Sequence, residues 1–279
     1  MSDRRRMPFS GRVALESLRD TVEAERYNRG EPAWITVPVC DLCPAPDGPR
    51  DRQLVFGAAI TVIERLETHA FVQAAWDGYC GWIEAGAAAP LLEPTHFVTA
   101  RATHLYREAS IKRGEVMGVS MGARVSVLRE EGGFLVTPEG YLPRPHAAPI
   151  SRAGAAPMGD PVAVAEALLG TPYLWGGNSS AGIDCSGLVQ IAHLLCGRAV
   201  PGDSDMQWRE LGEPLAEADR YARGDLIFWK GHVALVCDAQ RLIHANGHTM
   251  SVAYEPIAEC LARIEASGEA LYLGRKRLR

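Results

Sequence analysis

The 279-residue chain contains no uninterrupted apolar run near the roughly 18 residues that a membrane-spanning helix needs. Its start, MSDRRRMPFSGR, carries basic residues with no apolar segment behind them, so neither a membrane partner nor a secretory leader is expected, and the cytoplasm is the expected location. Beyond Arg4–Arg6 and the last few residues no dense Lys/Arg run occurs, and the net charge is −5, which argues against a nucleic-acid partner. Low-complexity tracts are absent as well. Cysteines are too few and too scattered for the framework of a small secreted domain: the seven stand at positions 40, 43, 80, 185, 196, 237 and 260, an odd count that reads as mostly reduced thiols. A second Cys-x-x-Cys is missing, so Cys40-x-x-Cys43 and His244-x-x-x-His248 do not add up to a zinc site, and no metal or cofactor is expected. What remains is ordinary globular composition, 47% hydrophobic and 23% charged, in a chain long enough for one large domain or several small ones.

Leu15, Leu18 and Val22 recur at helical spacing among charged residues, which predicts an amphipathic helical arm over residues 1–32. From Trp34 to about residue 146 short β-branched runs alternate with Gly, Pro and Asp turns. Two stretches of this region share a layout: VFGAAITVIERLETHAFVQAAWDGYCGWI and SMGARVSVLREEGGFLVTPEGYLPR each run Gly-Ala, strand, loop, strand, Gly-Tyr. Such duplication predicts two copies of one small barrel, over 33–92 and 93–146. A Pro/Ala/Gly-rich stretch at 147–159 reads as a linker, and a C-terminal domain follows at 160–279. There DPVAVAEALLG opens with a capping Asp160 and Pro161, a second helix follows, and DLIFWK, HVALVC and RLIHAN read as closely spaced strands. Helices first and antiparallel strands after make this an α+β domain.

Cys185, in GIDCSG, is expected in the first turn of a helix whose apolar face is Leu188, Val189, Ala192 and Leu195. Unpaired N–H groups and the helix dipole favour thiolate there. Alone, such a cysteine is more often a small buried hydrophobe. Partners change that reading. With a turn at Asp238–Gln240, His232 and His244 become near cross-strand neighbours on one face, with Cβ atoms ~5 Å apart. A thiol, a base and a group that orients the base form a nucleophilic set. His69, His96, His104, His146 and His193 read as satisfied surface or core residues.

The blocks GTPYLWGGNSSAGIDCSGLVQ, PGDSDMQ, RGDLIFWKGHVALV and RLIHANG resemble, in order, the signatures of the NlpC-type cysteine peptidases, papain-like bacterial cell-wall hydrolases. The N-terminal repeats, and WDGYCGWI above all, are similar to bacterial SH3-like domains. Together they resemble the γ-D-glutamyl-L-diamino-acid endopeptidases, the dipeptidyl-peptidase VI subgroup. The resemblance implies a papain-like domain behind two SH3-like barrels. It also implies hydrolysis of the γ-D-Glu to diamino acid bond in murein peptides with a free N-terminal L-Ala, in cell-wall peptide recycling.

The same resemblance assigns Cys185 as nucleophile, His232 as base and His244 as orienting residue. It places Tyr173, Asp184, Ser186, Asp203 and Ser204 around the D-Glu and L-Ala, Tyr79 as the pocket wall and Asp51 as a second acid. Gly202 and Ala58 depart from the subgroup, where arginine and glutamate are frequent. A non-catalytic peptidoglycan-binding module, or an amidase or acyltransferase on the same fold, is the alternative. The sequence does not set the oligomeric state, and a monomer is assumed.

Overall fold

The computed structural model describes residues 3–90, 93–150, 158–268 and 270–278. Two compact units divide the chain, Met1–Ile150 and Ser151–Arg279.

The N-terminal unit begins with a correction. Where a helix is expected, Val13–Leu15 is a strand pairing in parallel with Arg26–Asn28, and only a short 3₁₀ turn, Glu16–Leu18, coils between them. Three apolar residues at helical spacing set a weak preference, and burial overrides it. Val13 packs with Ile63, Phe71, Cys80 and Trp82 in one buried cluster, which a solvent-facing helix would leave uncovered.

The first barrel is a five-stranded sheet in the order Cys80–Glu84, His69–Ala74, Ala59–Arg65, Glu31–Ile35, Ala88–Pro90, with a ribbon of Val39–Leu42 and Arg52–Val55. The second has a five-stranded sheet built on Ala102–Tyr106 and a three-stranded one in the order Arg124–Val125, His96–Val98, Ala147–Pro149. Both barrels close by one device: a 3₁₀ turn followed by an Ala-Ala-Pro strand that returns to the barrel's first strand. Ala88–Pro90 pairs with Glu31–Ile35, and Ala147–Pro149 pairs with His96–Val98. Residues 147–149 of the expected linker are thus the last strand of the second barrel, and 151–157 lie outside the described residues.

Phe56, at the end of the first barrel's ribbon, is buried in the second barrel's core with Leu105, Val119, Leu135 and Leu142. The chain passes so close there that a β-carbon on Gly57 would lie 2.0 Å from the Arg124 carbonyl oxygen. Arg124 N–H donates to the Phe56 carbonyl at 3.0 Å.

In the C-terminal unit, α1 (Pro161–Glu166) starts at Asp160, whose carboxylate accepts from Val162 N–H as its capping position predicts. It is followed by α2 (Cys185–Leu194) and α3 (Ser204–Glu210). Six antiparallel strands follow: β1 (Glu213–Pro214), β2 (Leu226–Trp229), β3 (His232–Val236), β4 (Arg241–Asn246), β5 (Ser251–Pro256) and β6 (Tyr272–Arg277). They line up β1-β6-β2-β3-β4-β5. Besides α3, one more helix is missing from the sequence reading: α4 (Ile257–Ser267), between β5 and β6. Its Ile257, Cys260 and Ile264 pack on Ile227, Trp229, Ala234, Val236 and Leu242 of the sheet. Each fully buried aliphatic side chain in such a layer contributes about 1.5–3 kcal/mol.

Candidate active site

Asp184 builds the start of α2. Its Oδ1 accepts from Gly187 N–H at 2.7 Å and from Ser186 Oγ–H at 2.9 Å, and its Oδ2 accepts from Gly176 N–H at 3.0 Å. One carboxylate therefore caps the helix and ties down the glycine loop before it. Gly187 has no room for a side chain, since a β-carbon would lie 2.7 Å from the Gly177 carbonyl oxygen. Cys185 follows the cap and is 6% exposed. The arrangement qualifies two expectations: the polar atoms of Asp184 and Ser186, expected to face substrate, are engaged with each other and with the backbone.

α2 packs on β3 and β4, and the Val233 N–H, next to His232 in the chain, lies near enough to the Cys185 thiol to oppose the rise of its pKa. His232 Nε2 and His244 Nδ1 are 2.9 Å apart. The pairing is diagonal: β3 and β4 run with Leu235 opposite Ile243 and Val236 opposite Leu242, about the expected turn at Asp238–Gln240, which leaves His232 and His244 two residues out of direct opposition. Tyr173 is brought close to both Cys185 and Asp184, and its hydroxyl is held protonated by burial first and by those neighbours second. Asp203 and Ser204 stand at the start of α3, which packs against both α2 and β3.

Burial decides the electrostatics. It pushes the Cys185 thiol up to about 12, with Asp184 adding to the rise and the N–H groups of Val233, Ser186 and Cys185 opposing it. Burial also drives the His232 imidazole down to about 3, with His244 and Arg263 adding to the fall. Burial therefore opposes the thiolate that a helix start favours. A helix terminus contributes about 0.3–2 kcal/mol, less than the several kcal/mol that removing a lone charge from water costs. A proton passing directly between thiol and imidazole avoids an isolated charge on either.

Tyr79 and Asp51 belong to the N-terminal unit. Tyr79 is buried with the Arg52 guanidinium 5.1 Å from its ring centroid, and Arg52 is itself paired with Asp77 at 2.7 Å. Asp51 is already paired: Arg4 donates to its two oxygens at 2.7 and 3.0 Å. An acid expected to greet an ammonium thus holds a guanidinium instead.

Sequence reasoning missed Gln207, fully buried, whose Nε2 donates to the Ser186 carbonyl at 3.0 Å and the Pro201 carbonyl at 2.9 Å, pinning α3 to the start of α2. Its signal was a polar residue on the buried side of a short helix. Glu255 and Arg263 were missed too: Glu255 Oε2 lies 3.1 Å from His244 Nε2, and no local pattern points to it.

A cysteine heading a buried helix against a paired histidine on an antiparallel sheet is the layout of a papain-like cysteine hydrolase. Residues 170–262 match the NlpC/P60 family, and residues 42–87 match the bacterial dipeptidyl-peptidase Sh3 domain, so the chain carries an NlpC/P60 domain behind a bacterial SH3 domain. It is 42% identical over 87 residues to dipeptidyl-peptidase 6 of Lysinibacillus sphaericus, covering 30% of this chain and 31% of that protein. It is 30% identical over 185 residues to the gamma-D-glutamyl-L-lysine dipeptidyl-peptidase of Bacillus subtilis, covering 60% of each. The chain thus spans between 31% and 60% of the length of these curated relatives. The crystal structure of an NlpC/P60 family protein from Bacillus cereus superposes with a TM-score of 0.75 at 24% identity, over 88% of this chain and 99% of that one, which establishes the shared fold.

Proposed function

We propose that this protein is a cysteine peptidase that hydrolyses the bond between γ-D-glutamate and the diamino acid, diaminopimelate or lysine, of murein peptides with a free N-terminal L-alanine. The observation that carries the reading is the buried Cys185 at the head of α2, a helix packed on the strand that begins with His232, itself hydrogen-bonded to His244. As the sulfur attacks the γ-glutamyl carbonyl carbon, its proton moves to His232, so no charge is left without a partner. The C–N bond then breaks, His232 gives that proton to the leaving amine, and a thioester remains. Water, deprotonated by His232, attacks the thioester; the acid leaves and the proton returns to sulfur.

The Asp184 cap takes the Gly187 N–H, while the Cys185 N–H, one turn-start earlier, is left to bond the oxyanion. The Tyr173 hydroxyl, kept protonated, supplies a second donor in the same space. Asp203, at the head of a helix packed against α2 and β3, takes the alanine ammonium, with Ser204 beside it toward the D-Glu. An ammonium buried without its acid is costly, which makes the free amine a requirement. We also propose that the protein works in the cytoplasm, in recycling; its seven free thiols suit a reducing compartment.

Mass spectrometry of L-Ala-γ-D-Glu-diaminopimelate and its lysine counterpart, each with and without an N-acetyl cap, tests the reading. Release of L-Ala-D-Glu from the uncapped peptides, lost in Cys185→Ala, is expected. Turnover unchanged by Cys185→Ala would end the peptidase reading, and equal cleavage of capped peptide would end the free-amine requirement. Asp203→Asn is expected to weaken selection for the free amine more than Asp51→Asn, whose carboxylate is already paired with Arg4.

A further inference from the structure

The second nitrogen of His244 faces a group of charges that the proposed reaction leaves unused. Its Nε2 stands 3.1 Å from Glu255 Oε2, bent off the ring's N–H axis. Glu255, near the end of β5, accepts from Arg263 Nε at Oε1 and from Arg263 Nη2 at Oε2, both at 2.8 Å. Arg263 lies on α4, as does the buried Cys260, whose sulfur is 3.9 Å from Arg263 Nη2. His244, Glu255 and Cys260 offer donor atoms within 4.8 Å of one another, the spacing of a metal site. However, the guanidinium already supplies the positive charge at this carboxylate. The cluster is a salt-bridged support for an imidazole, built from two elements that the core holds in place.

We infer that Glu255, held by Arg263, is a positioning residue that sets the tautomers of both histidines. The inference rests on the reading of Cys185, His232 and His244 as the reacting set. Burial alone would raise the Glu255 carboxyl, but Arg263 and then His244 outweigh it and hold it well below the usual carboxylate range. An ionised carboxylate only accepts hydrogen bonds. It therefore favours a proton on His244 Nε2, leaving Nδ1 as an acceptor. The 2.9 Å bond to Nδ1 then requires His232 to donate from Nε2. A neutral His232 so fixed carries its lone pair on Nδ1, the nitrogen left to take the thiol's proton. With the opposite polarity, His244 donates from Nδ1, the His232 proton shifts to its own Nδ1, and the base is blocked. Removing the carboxylate makes the two polarities compete.

The titratable and charged groups facing His244 are His232 from β3, Glu255 from β5, Cys260 and Arg263 from α4, and His248 from the turn after β4. Nitrogen-15 NMR of the full-length protein, histidine-labelled, reads the tautomers directly at neutral pH. Nε2–H is expected for both His232 and His244. In Glu255→Gln, whose amide can also donate, signals of the second tautomer are expected, with Glu255→Asp restoring the first. Alkylation of Cys185 by iodoacetamide, followed across pH by peptide mass spectrometry, needs no murein peptide. It is expected to slow by on the order of 10-fold or more in Glu255→Gln, within the ~10⁴ that a wrong tautomer costs in a Ser-His-Asp triad. It should recover in Glu255→Asp, while the rate at Cys43 stays unchanged. An Nδ1–H tautomer at His244 in the unaltered protein overturns the inference whether or not any variant folds. So does Glu255→Gln with the same tautomers and the same alkylation profile. If murein peptides are not cleaved while these signatures hold, the substrate reading fails and the relay stands.

Discussion

His232 Nε2 and His244 Nδ1 meet at 2.9 Å across a diagonal of the β3–β4 ladder, with His244 buried and His232 partly open. A diagonal contact reaches only if the rings lean toward each other, so the hydrogen bond and not the ladder fixes the base. His244→Ala should therefore lower kcat by roughly 10²–10⁴ while KM changes little, because orientation of the base matters in the transition state. His244→Asn, which retains an acceptor for His232, should lose less. Steady-state kinetics on the uncapped tripeptide decides; an equal rise in KM and no change in kcat would assign His244 to binding.

Asp184 supports three donors, and its loss acts on the nucleophile through the backbone. Asp184→Ala should destabilise the fold by about 0.5–2 kcal/mol, the usual effect of an N-cap. Asp184→Asn keeps an acceptor for Gly187 N–H but turns a donor toward Gly176 N–H. It should stay closer to the parent in urea titration while still losing kcat. If both variants keep full kcat, the cap is structural only and does not aim Cys185.

What the sequence made legible was local. The helix start at Cys185 was legible because its apolar face, Leu188, Val189, Ala192 and Leu195, follows directly in the chain, whereas Asp184, read as a substrate contact, is its cap. The histidine pair was legible because a hairpin needs only a residue count, and Asp238 Oδ1, accepting from the N–H groups of Gln240 and Arg241, holds the turn where it was expected. The N-terminal helix failed for a non-local reason: Val13 is held by Trp82 and Phe71, far along the chain, and no periodicity encodes that. α4 carried its period, Ile257, Cys260 and Ile264, but in a stretch with enough charge to pass for a loop. Glu255 and Asp51 differ only in what folding brings to them. One receives a histidine, the other an arginine from the chain's start.

Gly57 sits at a crossing where φ is +73° and the Arg124 carbonyl occupies the space of a side chain. Gly57→Ala should cost roughly 2–5 kcal/mol, combining left-handed strain with overpacking. Gly86→Ala, with nothing within 4 Å of the added carbon, serves as the control and should be near neutral. Thermal melts of the two variants read the difference, and equal melting temperatures would mean that the two chain segments part easily at Phe56.

His193, expected to be a satisfied residue, is 2% exposed on α2, and neither ring nitrogen has a hydrogen-bond partner among the described residues. Burial first, and Arg198 second, lower its pKa from 6.5 to about 4. Between those two values the unfolded chain binds the proton and the folded chain does not, so stability is intact above pH ~6.5 and falls as the pH drops toward ~4. His232, lowered to about 3, extends the same loss further into acid. His193→Leu removes one contributor and fills a similar volume. Replacing a buried, unsatisfied polar group with an apolar one should leave the variant at least as stable at pH 7, by up to roughly 1–3 kcal/mol. Its advantage should then widen as the pH falls, because the parent must either protonate a buried ring or unfold. Urea midpoints at about pH 7 and pH 4.5 measure both halves of the statement. Parallel losses in parent and variant would place the acid sensitivity on His232 and His244 instead, where it could not be removed without touching the reacting pair.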